Sequence, residues 1–230
     1  MQGNTLIIGG GEIGRALYEV FSPYYPTLIR DKEDVETDRE IDVMHIAFPY
    51  TKHFPKYVKD YIKKYKPKYT VVHSTVPPGT CRKLGVIHSP VKGVHPYLAE
   101  SIKTFHKFLG GRSADKVADY FRRANLRVYV FDKADTTELI KIDSTNWYGV
   151  CIEKTKDTKK LCDKYNVPFE AFYLWTQDYN DGYEKLGHPE YKRPLLTPIM
   201  TKIKGHCVLP NAKLLDSKFT DLINNLNEDK

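Results

Sequence analysis

Residues Thr5 to Asp31 read TLIIGGGEIGRALYEVFSPYYPTLIRD. The apolar run Leu6, Ile7 and Ile8 enters a glycine cluster, Gly9, Gly11 and Gly14, after which Ile13, Ala16, Leu17, Val20 and Phe21 recur at helical spacing until Pro23. This predicts a strand, a glycine turn and a helix, and a second apolar run from Thr27 to Ile29 then leads to Asp31. In a βαβ unit an acid about 20 residues beyond the turn falls where it can hold a ribose hydroxyl. Gly9 permits the tight turn, Gly11 lets the backbone approach a pyrophosphate, and Gly14 lets helix and strand pack closely. The free N–H groups where the helix starts, at Glu12 and Ile13, offer an anion site. Together these features predict dinucleotide binding rather than a purely structural glycine turn.

The 230 residues can bury a sizeable core, and 41% hydrophobic with 28% charged residues is ordinary for a soluble globular protein. No apolar run approaches the roughly 20 residues that span a bilayer, and no leader is evident, so a cytoplasmic protein is expected. Cys81, Cys151, Cys162 and Cys207 are far apart and show neither a C-x-x-C pair nor zinc spacing. They read as free thiols, with no metal site. The net charge of +7 favours anionic ligands.

After the polar stretch that follows Asp31, Ile41 to Phe48 reads as a buried strand ending at Pro49. From Lys52 to Tyr65, Phe54, Val58, Tyr61, Ile62 and Tyr65 share one helical face, opposite the solvated Lys52, Lys56, Lys59 and Lys63. Tyr69 to His73 predicts a fourth strand running into the fixed turn STVPPGT, Ser74 to Thr80. Gly85 to His88 predicts a short fifth strand before the loop SPVKGVHP. A helix near Ala99 to His106, the connection FLGG, a helix from Ser113 to Ala124 and a sixth strand from Arg127 to Phe131 follow. Alternation at this pace implies an α/β fold, a Rossmann-like, doubly wound and mostly parallel sheet. Its ligands lie beyond the carboxyl ends of the strands, so the loops at Gly9 to Gly14, Pro49 to Thr51, Ser74 to Gly79 and Ser89 to His95 form the candidate site.

From Asp135 the organisation changes. Asp135 and Glu138 match an N-terminal capping box, and a long helix is predicted to Tyr165, with Gly149 as a point where it can break. Lys141, Thr145 and Tyr148 share one face of it. The aromatic stretch Phe169 to Tyr191 has no clean period, and Gly205 to Leu215, GHCVLPNAKLL, reads as a turn feeding a short helix. Two domains are expected: a dinucleotide-binding domain over 1–133, and a smaller helical domain built on the long helix over 134–230, for dimerisation and substrate.

GGGEIG, STVPPGT, ELIK in a long helix and GHCVLPNAKLL stand in the order and approximate spacing of the UDP-glucose and GDP-mannose dehydrogenase family, the nucleotide-sugar 6-dehydrogenases. The chain resembles that family from about Thr5 to Leu215. The resemblance implies NAD as cofactor, a homodimer, and two-step oxidation of a sugar-nucleotide alcohol through a cysteine thiohemiacetal and thioester. A thiolate attacks an aldehyde, and a lysine ammonium stabilises the resulting oxyanion. By the motifs, Cys207 is the implied nucleophile, Lys141 the oxyanion partner, and Thr75 the residue that helps position water. Without the resemblance, Cys207 reads as a small buried hydrophobe.

Several positions depart from the family pattern. Val91 and His95 stand where the family has acidic residues, Thr145 replaces an asparagine (with Asn146 beside it), and Asn211 replaces an aspartate. His95 is the residue that could act as base in place of a carboxylate. The tail after Leu215 is too short to be the family's C-terminal nucleotide-sugar-binding domain, and the sugar-nucleotide half of the site is therefore expected to be absent or supplied by another chain. Two alternatives compete: a single-step enzyme resembling the 3-hydroxyacid dehydrogenases and using Lys141, and a non-catalytic dinucleotide-binding module. The substrate is expected to be a small anionic molecule, and nucleic acid is the least favoured partner. NAD is expected over NADP because Asp31 would repel a 2′-phosphate.

Overall fold

The structure, a computed structural model, describes residues 3–33, 35–203 and 208–228. The chain divides into two compact units, Met1–Lys141 and Ile142–Lys230.

The first unit alternates strands and helices: β1 (Thr5–Ile8), α1 (Glu12–Phe21), β2 (Thr27–Arg30), β3 (Val43–Ile46), α2 (Phe54–Tyr65), β4 (Tyr69–Val72), α3 (Thr80–Leu84), β5 (Ile87–His88), α4 (Leu98–Thr104), β6 (Lys107–Gly110), α5 (Ala114–Arg123) and β7 (Val128–Phe131). The strands form one seven-stranded sheet in the order β2-β1-β3-β4-β5-β6-β7. Neighbours are parallel except β5 and β6, which pair antiparallel at His88 and Gly110. This is the doubly wound, mostly parallel sheet expected from the alternation of elements.

Strand periodicity divides the core. Ile7, Val43, Val71 and Leu109 point to one face, where Leu17, Val20 and Phe21 of α1 and Val117 and Phe121 of α5 cover them. Leu6, Ile8, Met44, Ile46 and Val72 point to the other, under Phe54 and Val58 of α2. Both faces of the central strands are covered, as a parallel sheet requires. The lysine face of α2 is exposed.

One strand was not expected. FLGG, read above as a connection, lies in β6 as far as Gly110. Gly110 ends that strand and serves contact, since a Cβ there would lie 2.6 Å from Thr137 Oγ1, whereas Gly111 turns the chain at φ +137°.

α6 (Ala134–Tyr165) is the long helix expected. Two corrections apply to it. Asp135 lies inside the helix, so Asp135 and Glu138 do not form its capping box. Nor does Gly149 interrupt it, because a Cβ there would stand 2.7 Å from Val208 Cγ1 and 3.1 Å from Ile223 Cδ1. That glycine lets the second unit's small core of Ile203, Val208 and Ile223 close against Val150 and Ile152. The unit continues with α7 (Phe169–Lys185), a 3-10 turn at Pro189–Tyr191, α8 (Val208–Ala212) and α9 (Lys218–Glu228). The aromatic stretch without a clean period is α7, and it has no buried residue among those described.

Phe21 is fully buried and packs on Tyr120 and His45 with ring centroids 5.0 and 4.8 Å apart. Phe21→Ala should lower the unfolding free energy by about 3–5 kcal/mol, measured by chemical denaturation.

Candidate functional site

β1, β3, β4 and β5 run in one direction, so the loops after them collect at one edge of the first unit's sheet. The glycine turn is the best defined of these loops. Gly9 has φ +109°, a backbone conformation that disfavours a side chain, and its N–H donates to Arg30 O. A Cβ on Gly14 would fall 1.7 Å from Gly9 O, so only glycine lets α1 sit this close to β1. Gly11, the residue before α1, faces open space: nothing lies within 4 Å of where its Cβ would be. Gly10 N donates to Asp31 Oδ1 (3.1 Å), and Arg15 Nε donates to Gly10 O (2.9 Å). Gly10, Arg15, Tyr18, Ile29 and Asp31 line a recess of about 280 Å³ beside the turn. Arg30, next to Asp31, donates to Tyr61 Oη at 2.6 Å and stacks over that ring.

The neighbouring loops add polar groups. Pro49 is exposed after β3, and Thr75 is half-buried after β4, next to Ser74, whose hydroxyl donates to Phe48 O. His95, in the loop after β5, sits at the head of α1 with Nδ1 2.6 Å from Glu12 Oε2, and both side chains are more than half exposed. Lys141, on α6, donates to Val91 O (2.9 Å).

Glu138 is fully buried in a role that the capping-box pattern concealed. Its carboxylate accepts from Gly79 N (2.6 Å) and Cys81 N (2.7 Å), capping the start of α3 and fastening STVPPGT to α6. Burial pushes its carboxyl upward, while the bonds from Cys81 and Gly79 pull it back. Asp135 accepts from Arg82 instead of capping its own helix.

A polar chain within the core was not foreseen either. His45, His73 and Lys107 share the strand face of Val43, Val71 and Leu109, and all three are buried. Ser89 O can only accept, so His73 Nδ1 donates to it (2.7 Å). His73 Nε2 therefore accepts from His45 Nδ1 (2.8 Å), and His45 Nε2 accepts from Tyr120 Oη (3.1 Å). The rings are neutral: burial, then the Lys107 charge, hold His45 at about 3, and the same causes push His73 well below its usual range. Lys107 donates to Ser89 O (3.1 Å) and Pro90 O (2.8 Å), and burial, then Lys141 and Lys92, lower it to about 7. The available signal was a polar residue at an inward position of an apolar strand, as His45 is in VMHI.

In the second unit Asn211 Nδ2 donates to Thr145 Oγ1 at 3.4 Å, and Asn146 Nδ2 donates to Thr220 Oγ1 at 3.0 Å. Cys207 and His206 lie outside the described residues. Cys81, Cys151 and Cys162 are buried free thiols.

UDP-D-ManNAc dehydrogenase from Pyrococcus horikoshii superposes over 98% of this chain and 68% of its own, with TM-score 0.78 and 16% identity. UDP-glucose dehydrogenase from the hyperthermophilic archaeon Pyrobaculum islandicum superposes over 99% and 68%, with TM-score 0.74 and 14% identity. The chain has the fold of the nucleotide-sugar dehydrogenases. That fold is shared by 3-hydroxyisobutyrate dehydrogenase from Mycobacterium tuberculosis, which matches over 98% of this chain and 92% of its own, with TM-score 0.69 and 12% identity. No protein-family profile and no curated protein matches the sequence. At these identities the likeness to nucleotide-sugar dehydrogenases is one of architecture. No helix among the described residues is long and apolar enough to cross a membrane.

Glu138→Gln keeps the shape but replaces an anionic acceptor by an amide, one end of which faces an N–H donor. It should cost about 1.5–3 kcal/mol in chemical denaturation. Lys107 yields a pH prediction. The native state sheds its proton near pH 7, whereas the unfolded chain keeps it to about 10.5. The unfolded state therefore binds more protons in that window. The penalty for burying Lys107 is complete below pH 7 and fades as pH rises toward 10. Relative to Lys107→Met, the unmodified protein should gain stability on the order of 5 kcal/mol across that window, read from denaturation curves at each pH.

Proposed function

We propose that this chain is a cytoplasmic NAD-dependent dehydrogenase acting on an alcohol of a small anionic molecule, a sugar or sugar nucleotide. The observation that carries the reading is the glycine turn: Gly11 opens onto free space at the start of α1, beside a recess floored by Asp31. The N–H groups from Gly11 to Gly14 suit a pyrophosphate, with Gly9 setting the turn and Glu12 and Ile13 at its head. Asp31 keeps one carboxylate oxygen for a ribose hydroxyl while the other holds Gly10. Pro49 and Thr75 follow the adjacent strands, where the rest of the dinucleotide would lie. The engagement of Arg30 with Tyr61 leaves the acid to set the preference for NAD over NADP. When bound, NAD supplies the hydride acceptor.

The chain's own residues do the remaining work. The ammonium of Lys141, anchored on Val91 O, would stabilise an oxyanion on the substrate. Cys207 is assigned as the nucleophile toward an aldehyde product, from the GHCVLPNA motif. His95, at the head of α1, is the base candidate for attack of water on the thioester, and Thr75 helps place that water. Thr145 and Asn211, which bond to each other, are proposed to orient the substrate. A homodimer is proposed through the second unit's aromatic surface, where Trp147, Cys151, Phe172 and Trp175 line a groove of about 490 Å³.

A second reading is favoured by the match over 92% of 3-hydroxyisobutyrate dehydrogenase: a single oxidation that uses Lys141 and no cysteine. A screen of sugar nucleotides, small alcohols and hydroxyacids for NAD reduction tests both. Two reduced cofactors per substrate, with arrest at the aldehyde in Cys207→Ser, is the outcome expected of the first; one cofactor and an indifferent Cys207→Ser would select the second. NAD binding with no turnover on any substrate would leave only a dinucleotide-binding module. Asp31→Ala should weaken NAD binding about 10- to 100-fold by calorimetry, the loss of a charge-assisted hydrogen bond.

A further inference from the structure

Three consecutive carbonyls after β5, those of Ser89, Pro90 and Val91, each accept from a lysine. Lys107 takes the first two at 3.1 and 2.8 Å, and Lys141 takes the third at 2.9 Å. His73 adds a bond to Ser89 O at 2.7 Å. Backbone carbonyls normally find N–H partners, and a lysine ammonium is rarely taken fully out of water for this purpose. Lys107 is 3% exposed, and among the described residues it takes part in no ion pair. Among the described residues, the charged and titratable groups that act on it are His45 from β3, His73 just after β4, His88 from β5, Lys92 from the following loop and Lys141 from α6. All are cationic or neutral.

We infer that Lys107 is a positioning residue, pinning the Ser89–Val91 backbone and thereby setting where Lys141 holds its amine. The inference rests on the dehydrogenase reading only in giving Lys141 a chemical task. The coupling has two parts. Mechanically, the carbonyl that anchors Lys141 belongs to the residue after the two that Lys107 holds, so releasing Lys107 frees that anchor. Electrostatically, a proton on Lys107 repels the Lys141 ammonium, so the charge state of one tunes the acidity of the other. His73 holds the same Ser89 carbonyl that Lys107 bonds. The donor directions of the buried histidines run one way, from Tyr120 through His45 and His73 to Ser89 O, and end on an atom that cannot pass a proton on. This histidine chain is therefore a rigid support and not a proton relay.

The test is competitive labelling of amines with trace acetic anhydride between about pH 6 and 11, with Lys141 read by peptide mass spectrometry. In the unmodified protein the Lys141 profile should depart from a single-group curve with a step near pH 7, where Lys107 titrates. In Lys107→Met the step should vanish and the labelling rate of Lys141 at about pH 8 should change by about threefold or more. On the substrate found by the screen, Lys107→Met should lower kcat about tenfold and move KM less than about twofold, and Lys107→Arg, which can still reach carbonyls, should restore much of kcat without the step. A single-group Lys141 profile in the unmodified protein, a measurement that needs no variant to fold, would overturn the inference. So would a profile in Lys107→Met that superposes on the unmodified one. Because labelling requires no turnover, a step without dehydrogenase activity sinks the functional reading alone, and activity without a step sinks this inference alone.

Discussion

Gly14 of α1 packs against the carbonyl of Gly9 at a separation that excludes even a methyl group. Much else depends on it. With α1 seated on β1, Leu17, Val20 and Phe21 reach the sheet face formed by Ile7, Val43 and Val71, and the start of the helix is left facing outward at Gly11. The same approach brings Gly10 to the end of β2, where Asp31 receives its N–H. One steric condition therefore produces both the packing of a core layer and the shape of the proposed cofactor site.

The loops beside that turn are held by buried ionisable groups as well as by apolar contacts such as those of Val76 and Val91. Glu138 holds STVPPGT by two backbone N–H groups, and Lys107 holds Ser89 and Pro90 by their carbonyls. An isolated buried charge is costly, and these two are tolerated because each is directed at several backbone dipoles of the right sign. Lys107 is the more extreme case: its neighbours are neutral histidines and other lysines, and burial brings it near neutrality at physiological pH. Such anchors give loops fixed positions without a rigid secondary structure.

The sheet was legible because its signals are local. Apolar runs of strand length, helical spacing between them and proline or glycine at the joints recover β1 to β5, β7 and the helices between. β6 escaped because Gly110 and Gly111 read together as a turn, whereas only Gly111 turns the chain and the approach of Thr137 explains the glycine at 110. Gly149 misled for the same reason: its lack of a side chain serves Val208 and Ile223, residues distant in sequence. Asp135 and Glu138 have capping-box spacing, yet the N–H groups that Glu138 serves lie in another helix. In each case the pattern was present and its partner was remote.

By itself the sequence determined the class of the fold, the glycine turn, Asp31 and the long helix, since each follows from periodicity or from the conformational freedom of single residues. Only the tertiary structure decided that His45, His73 and Lys107 share one buried face, that Lys107 and Lys141 grip successive carbonyls, and that Glu138 fastens a loop rather than its own helix. The physical reason is that the free energy of a buried polar group is set by the partners it meets after folding. Those partners come from other strands and helices, and no spacing along the chain records them.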